Sequence, residues 1–129
     1  MAKLESLCPC GSNKIYSDCC GRYINANEMP ATAEELMRSR YTAYTLTNEV
    51  YLLNSWHVST RPARLGLDGE AHSKWLGLEI KRQEQNDDTH AVVEFVARYK
   101  IGGRAHRLHE ASRFVREDGR WFYVDGDLD

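Results

Sequence analysis

Cys8, Cys10, Cys19 and Cys20 are the only cysteines of this 129-residue chain, and all fall within its first 20 positions. The pattern is C-x-C, a gap of eight residues, then C-C. Four soft thiolates at this spacing suit one Zn²⁺ in tetrahedral geometry. The competing reading is a pair of disulfides, but cross-links confined to so short a stretch would staple little of the chain. Four protein ligands leave an ion no open coordination position, so its expected role is structural. A module this small has almost no core of its own, so metal binding is expected to supply much of its folding free energy. Pro9 fixes φ between the first two cysteines, and Gly11 permits the left-handed turn that follows. Backbone N–H groups of Cys10-Gly11-Ser12 are expected to donate to sulfur. A helical turn over 14–20 would carry the last two cysteines, and Lys3, Lys14 and Arg22 would offset the charge of the thiolates.

A second set of reactive side chains is spread over the rest of the chain. Trp56-His57 stands where a helix is expected to end. Glu110 and Ser112 share one face of a strand by period two; Glu94 on the preceding strand could point the same way, but the register between the two strands is not readable from the sequence. A pocket holding His57, Glu110 and Ser112, with Trp56, Arg40 and Arg98 around it, could bind a polar small molecule or move a proton. The alternative is structural: His57 donating to a backbone carbonyl, and Glu110 in an ion pair with Arg40 or Arg98. The chain has no G-x-S-x-G elbow and no phosphate-cradling Gly-rich loop, so catalysis is not the expected use of this set. Arg38 and Arg40 lie two apart on a helix and point to different sides. Trp75, Trp121 and Phe122 read as core aromatics, and His72, His90 and His106 carry no assigned role.

The elements that must position these residues are legible in outline. Residues 22–31 read as a linker. Thr32 and Glu35 form a capping box, which predicts a helix over 33–47. Asn48 caps a second helix over 49–56, and Thr60-Arg61-Pro62 breaks it. A loop or short helix runs to about residue 73. Alternating residues predict a strand over 75–83, a turn at 86–88 and a strand over 90–101. Gly102-Gly103 and Asp118-Gly119 mark hairpins, with strands over 104–116 and 120–124. Helices followed by an antiparallel meander predict an α+β fold, with the helices on one face of a curved sheet.

Composition bounds the rest. Hydrophobic residues make up 42% and charged residues 28%, a globular mix that excludes a disordered chain. The formal net charge of −2 argues against non-specific nucleic-acid binding, which needs a basic excess. No apolar run reaches the length of a membrane span or a secretory leader, so a cytoplasmic location is expected.

Cys8-Pro9-Cys10-Gly11-Ser12, with Tyr16 and Cys19-Cys20-Gly21, resembles the SEC-C motif, a zinc knuckle found in the tail of the translocation ATPase SecA. Leu36-Met37-Arg38-Ser39-Arg40-Tyr41, Ser55-Trp56-His57, Trp75-Leu76-Gly77-Leu78, Phe95-Val96-Ala97-Arg98, Glu110-Ala111-Ser112-Arg113-Phe114 and 119–126 resemble the YchJ-type family of bacterial proteins. The resemblance implies a SEC-C motif over 1–24 and a nuclear transport factor 2-like cone over 30–129. It also implies one structural Zn²⁺. Some members carry a second SEC-C motif after the last strand. This sequence reaches Asp129 without one, so a function needing two knuckles is not expected. The motif further implies a docking role toward a protein such as the export chaperone SecB, or toward the ribosome. The contact edge would be Lys3, Lys14 and Arg22 with Tyr16 and Tyr23. Nucleic acid is the weaker partner. The alternative is a cone that binds a small molecule, with the zinc only holding the N-terminus.

Overall fold

The structure, a computed structural model, describes residues 6–65 and 73–128. Lys3, His72 and most of the loop expected before residue 73 lie outside the described residues.

The capping box forms. Thr32 Oγ1 accepts from Glu35 N at 3.1 Å, and the Glu35 carboxylate accepts from Ala31 N at 2.9 Å. Helix α2 (Ala33–Thr45) starts there; it follows a four-residue turn of helix, α1 (Gly21–Ile24), inside the segment expected to be a linker. α2 stops two residues short of expectation because Thr47 takes φ 56°, a left-handed conformation that ends the helix. Asn48 Oδ1 accepts from Tyr51 N at 3.0 Å and opens α3 (Glu49–Asn54).

Strands β1 (Ser73–Asp87), β2 (His90–Ile101), β3 (Arg104–Glu117) and β4 (Arg120–Leu128) form one antiparallel sheet in the order β1-β2-β3-β4. Gly102 and Gly103 take φ of 59° and 80°. Both central residues are thus left-handed, as a two-residue hairpin matched to strand twist requires. β1 and β4 run longer than expected. β1 pairs along the whole of β2, from Ser73 opposite Ile101 to Asp87 opposite His90, and β4 continues until Leu128 meets Glu110. Register shifts interrupt β1 at three places and β4 at one, and such bulges bend a sheet.

The concave face carries Val93, Phe95, Ala97, Phe114 and Trp121, packed against Ala33, Leu36, Met37 and Tyr41 of α2. Full burial of a side chain such as Leu36 or Val93 contributes roughly 1.5–3 kcal/mol. The convex face is charged. Glu94 bonds Arg82 at 3.1 Å and His109 at 2.6 Å, and Arg113 bonds Asp125 at 2.7 Å and Asp127 at 2.8 Å. The register, left open by the sequence, places Glu94 opposite Ala111, so Glu94 takes the other side of the sheet from Glu110.

Candidate metal centre and cone cavity

Leu7 and Ile15 form an isolated antiparallel bridge, and Cys8 N donates to Lys14 O at 2.8 Å. This small hairpin presents Cys8 and Cys10. A 3-10 turn over Tyr16–Asp18 and the start of α1 then bring up Cys19 and Cys20. Gly21 is needed here because a Cβ would stand 2.8 Å from Tyr16 O and 2.9 Å from its ring.

The four sulfurs lie within 4.8 Å of one another, and all four residues are buried. They are free thiols, with Cys10 and Cys19 Sγ at 3.6 Å, so no disulfide joins them. A tetrahedral ion with metal–sulfur bonds of about 2.3 Å places its sulfurs about 3.8 Å apart. The cluster can therefore hold a metal ion. Its electrostatics agree. Hydrogen bonds from the Cys10 and Cys20 thiols draw Cys8 well below the ordinary thiol range, and hydrogen bonds with Cys10 and Cys8 together with burial push Cys20 up.

Part of the expected backbone set forms: the Cys10 N–H, together with that of Cys20, hydrogen-bonds to the Cys8 sulfur and helps to lower its pKa. Gly11 N bonds Cys8 O at 3.3 Å. Hydroxyls approach the sulfurs as well: Ser12 Oγ lies 3.1 Å from Cys19 Sγ, and Thr42 Oγ1 lies 3.6 Å from Cys8 Sγ. Arg38 Nη1 donates to Cys10 O at 2.8 Å and lies 3.9 Å from Cys10 Sγ, while Arg38 Nε bonds Glu34 at 3.0 Å. Arg22 bonds Cys19 O and the Tyr23 hydroxyl. Arg38 and Thr42 were not read from the sequence as site residues. The available signal was their i, i+4 spacing, which places both on one face of α2.

A cavity of about 260 Å³ lies between α2 and the concave face of the sheet. Of the sequence candidates, Arg40, Trp56, Glu110 and Ser112 line it, with aromatic walls that include Tyr44, Trp75 and Tyr123. His57 and Arg98 do not. Residues 55–57 run alongside β4, with Trp56 bridged to Tyr123 and His57 N donating to Tyr123 O at 2.7 Å. Side chains alternate along this extended segment. Trp56 enters the cavity edge-on to Tyr123, while His57 turns to Ser59 Oγ at 2.7 Å and Glu117 at 2.8 Å. Arg98 follows inward-facing Ala97 on β2, so it is exposed on the convex face and pairs with Glu79 at 3.8 Å. The His57, Glu110 and Ser112 set is thus not one site, and neither Arg40 nor Arg98 forms an ion pair with Glu110.

Arg40 is 3% exposed. Its Nη1 donates to Leu52 O at 2.8 Å and Ser55 Oγ at 2.7 Å, and its guanidinium carbon lies 4.4 Å from the centre of the Tyr123 ring and 5.0 Å from that of Trp56. Burial lowers its pKa, yet an arginine at neutral pH keeps its charge. The last-turn carbonyl of α3 and the two ring faces offset the desolvation. Glu110 Oε2 accepts from Ser112 at 2.7 Å and from the Tyr123 hydroxyl at 3.1 Å.

Fold and cysteine cluster together define a class: an NTF2-like α+β domain fronted by a SEC-C motif. Residues 32–126 match the family described as "YchJ, middle NTF2-like domain", and residues 6–22 match the SEC-C motif. The chain belongs to this YchJ-like family. A UPF0225 protein of Ralstonia nicotianae is 58% identical over 132 residues, covering 94% of this chain and 90% of that protein. A UPF0225 protein of Chromobacterium violaceum is also 58% identical, over 95% of this chain and 93% of its own length. The solution structure of a SEC-C motif containing protein from Rhodopseudomonas palustris is similar at a TM-score of 0.85 and 32% identity, covering 96% of this chain and 99% of that one. The crystal structure of one from Psychrobacter arcticus gives 0.80 and 26%, over 96% and 83%. Among the described residues no helix is long and apolar enough to cross a membrane.

Proposed function

We propose that this chain is a small-molecule-binding cone whose front is stapled by one structural Zn²⁺ on Cys8, Cys10, Cys19 and Cys20. An all-thiolate set selects Zn²⁺ over hard cations, and four ligands close the site to substrate. The ion supplies folding energy and a rigid turn. Free thiols held for a metal suit a reducing compartment, the cytoplasm. The observation that carries the binding role is the cavity itself. A buried arginine, a carboxylate and aromatic walls surround space that the core does not fill. Apolar walls with a few convergent polar groups are the usual make-up of a ligand site. The test is elemental analysis of freshly purified protein, followed by a fragment screen read on the Trp56 and Trp75 indole resonances. Near-stoichiometric zinc and fragments that shift both tryptophans support the reading. Metal-free protein counts against the zinc, and tryptophans indifferent to every fragment count against the cavity.

A second reading has its own observation. The knuckle's inner side is packed on α2, but Leu7 is 61% exposed beside Ile15 at 37%, with Pro9 and Lys14 also exposed. This outer face is the surface we propose for a protein partner, with nucleic acid less favoured by the overall charge. Leu7→Asp leaves the sulfurs in place. If binding to ribosomes or to SecB, the partners the motif implies, is present and survives this change, the outer face is not the docking surface.

A further inference from the structure

We infer that the cavity takes a neutral, flat heterocycle that offers an N–H donor and a carbonyl acceptor on one edge, the chemistry of a cyclic amide. The inference rests on the binding role proposed for the cavity and names its ligand class.

Two charges of opposite sign line the same small space without pairing to each other. Both lie against Tyr123: its hydroxyl bonds the Glu110 carboxylate, and its ring underlies the Arg40 guanidinium at 4.4 Å. Ser112 and Tyr123 both use Glu110 Oε2, and Oε1 carries no hydrogen bond to the protein. Arg40 uses Nη1 twice, and its Nε and Nη2 carry none. Among the described residues no fully buried side-chain polar atom lacks a partner. The free Glu110 oxygen and the free Arg40 nitrogens therefore reach open space, and the space both of them line is the cavity.

A ligand there meets one acceptor and one or more donors. A carboxylate or phosphate would gain from Arg40 and be repelled by Glu110. An amine would gain from Glu110 and be repelled by Arg40. A neutral group with a donor beside an acceptor satisfies both and buries no net charge. The walls add a shape requirement. Tyr41, Tyr44 and Trp75 pack on one another edge-to-face or tilted and all three line the cavity, and an aromatic wall of this kind favours a flat partner. At about 260 Å³ the cavity is below the usual range for drug-sized ligands, so one or two fused rings fit.

The experiment titrates the metal-loaded full chain with four probes of similar size: oxindole, a cyclic amide; indole, a donor without an acceptor; indole-3-carboxylate, an anion; and tryptamine, a cation. Calorimetry and the tryptophan resonances report binding. Oxindole is expected to bind about tenfold more tightly than the others, and Glu110→Gln to remove about tenfold of that affinity. If the anion or the cation binds best, the ligand class is overturned while the cavity remains a binding site. If indole equals oxindole, the acceptor requirement is wrong. If no probe moves the tryptophans, the binding role of the cavity fails, and this inference with it. The unmodified chain alone ranks the four probes, so the test does not depend on the variant folding.

Discussion

Arg38, near the middle of α2, donates a 2.8 Å hydrogen bond to the carbonyl of Cys10, 28 positions earlier in the chain. The same Nη1 lies 3.9 Å from the Cys10 sulfur, and Glu34 holds Nε on the same helix. A positive group from the cone domain thus sits against a centre that is formally −2 when four thiolates bind Zn²⁺. It bonds the turn that carries one ligand and lessens the repulsion among the sulfurs. Arg38→Ala should speed metal loss to a competing chelator by about 10–100-fold, the usual effect of removing an outer-sphere partner. Arg38→Lys should recover only part of this, because a single ammonium lacks the planar fork that reaches Glu34 and Cys10 together. Unchanged release kinetics in both variants would remove the role assigned to Arg38.

Metal removal is expected to weaken the whole fold. Cys8, Cys10, Cys19 and Cys20 belong to one buried cluster with Leu36, Met37, Phe95 and Trp121, so the knuckle and the cone share a core. Cys10 is fully buried. Cys10→Ser, or chelation of the unmodified chain, should lower the Tm of a single cooperative transition by about 10 °C or more. Calorimetry that instead shows a separate cone transition at an unchanged temperature would mean that the knuckle is an independent appendage.

The parts legible in the sequence were those set by local chemistry. Thr32 with Glu35, Asn48, and the Gly102-Gly103 and Asp118-Gly119 pairs act over a few residues, and helix starts and hairpins fell where they indicated. Convergence of the four cysteines is likewise a matter of short spacing. Long-range pairing was not legible. The turn of His57 away from the cavity depends on residues 55–57 lying beside β4, a contact across more than sixty positions. Arg98 was misplaced although the alternation of Val93, Phe95 and Ala97 already turns it, with Glu94, to the opposite face; that Glu110 shares the face of Phe95 and not of Glu94 needed the β2–β3 register, which the sequence leaves open. Arg38 and Thr42 face the sulfurs only because the knuckle folds back onto α2, and residues 22–31 read as a linker because nothing local announces that docking. The added lengths of β1 and β4 follow from partners on β2 and β3 and from bulges, which leave no clear mark in composition.

Gly126 and Glu110 should be coupled. Gly126 pairs with Ser112 on β3, and the Glu110 side chain crosses the space where its Cβ would be. An alanine there would meet the Glu110 carboxylate, with Cδ at 2.7 Å and Cγ at 2.9 Å. Because Ser112 and Tyr123 hold that carboxylate, it cannot swing aside without losing both bonds. Gly126→Ala should destabilise the fold by about 1–3 kcal/mol. Paired with Glu110→Ala, the same change should cost little, giving a coupling energy of about 1 kcal/mol or more in a double-mutant cycle measured by urea unfolding. Additive effects would mean that the two side chains do not compete for one space.

Alkaline pH should weaken the fold before it reaches the arginines. Burial pushes the Tyr41 phenol from its ordinary 10.0 to about 12; a hydrogen bond from the Gly77 backbone pulls the other way and is outweighed. Tyr123 is pushed up by burial and by the neighbouring Glu110 carboxylate, and burial also raises Tyr44 and Tyr51. The sign follows from proton counts. Below the ordinary value, folded and unfolded chains both hold these protons, so stability is at its full level. Above it, the unfolded chain releases them while the folded chain still binds them, so unfolding is favoured progressively as pH rises. For Tyr41 the loss runs from about 10 until its folded value near 12 is passed. The urea midpoint should therefore be flat up to about pH 9 and fall steadily through about pH 11. Tyr41→Phe should make that fall shallower, because phenylalanine fills the same space with no proton to lose. A midpoint that holds steady through about pH 11 in the unmodified chain would show that these phenols ionise as freely in the folded protein as in water.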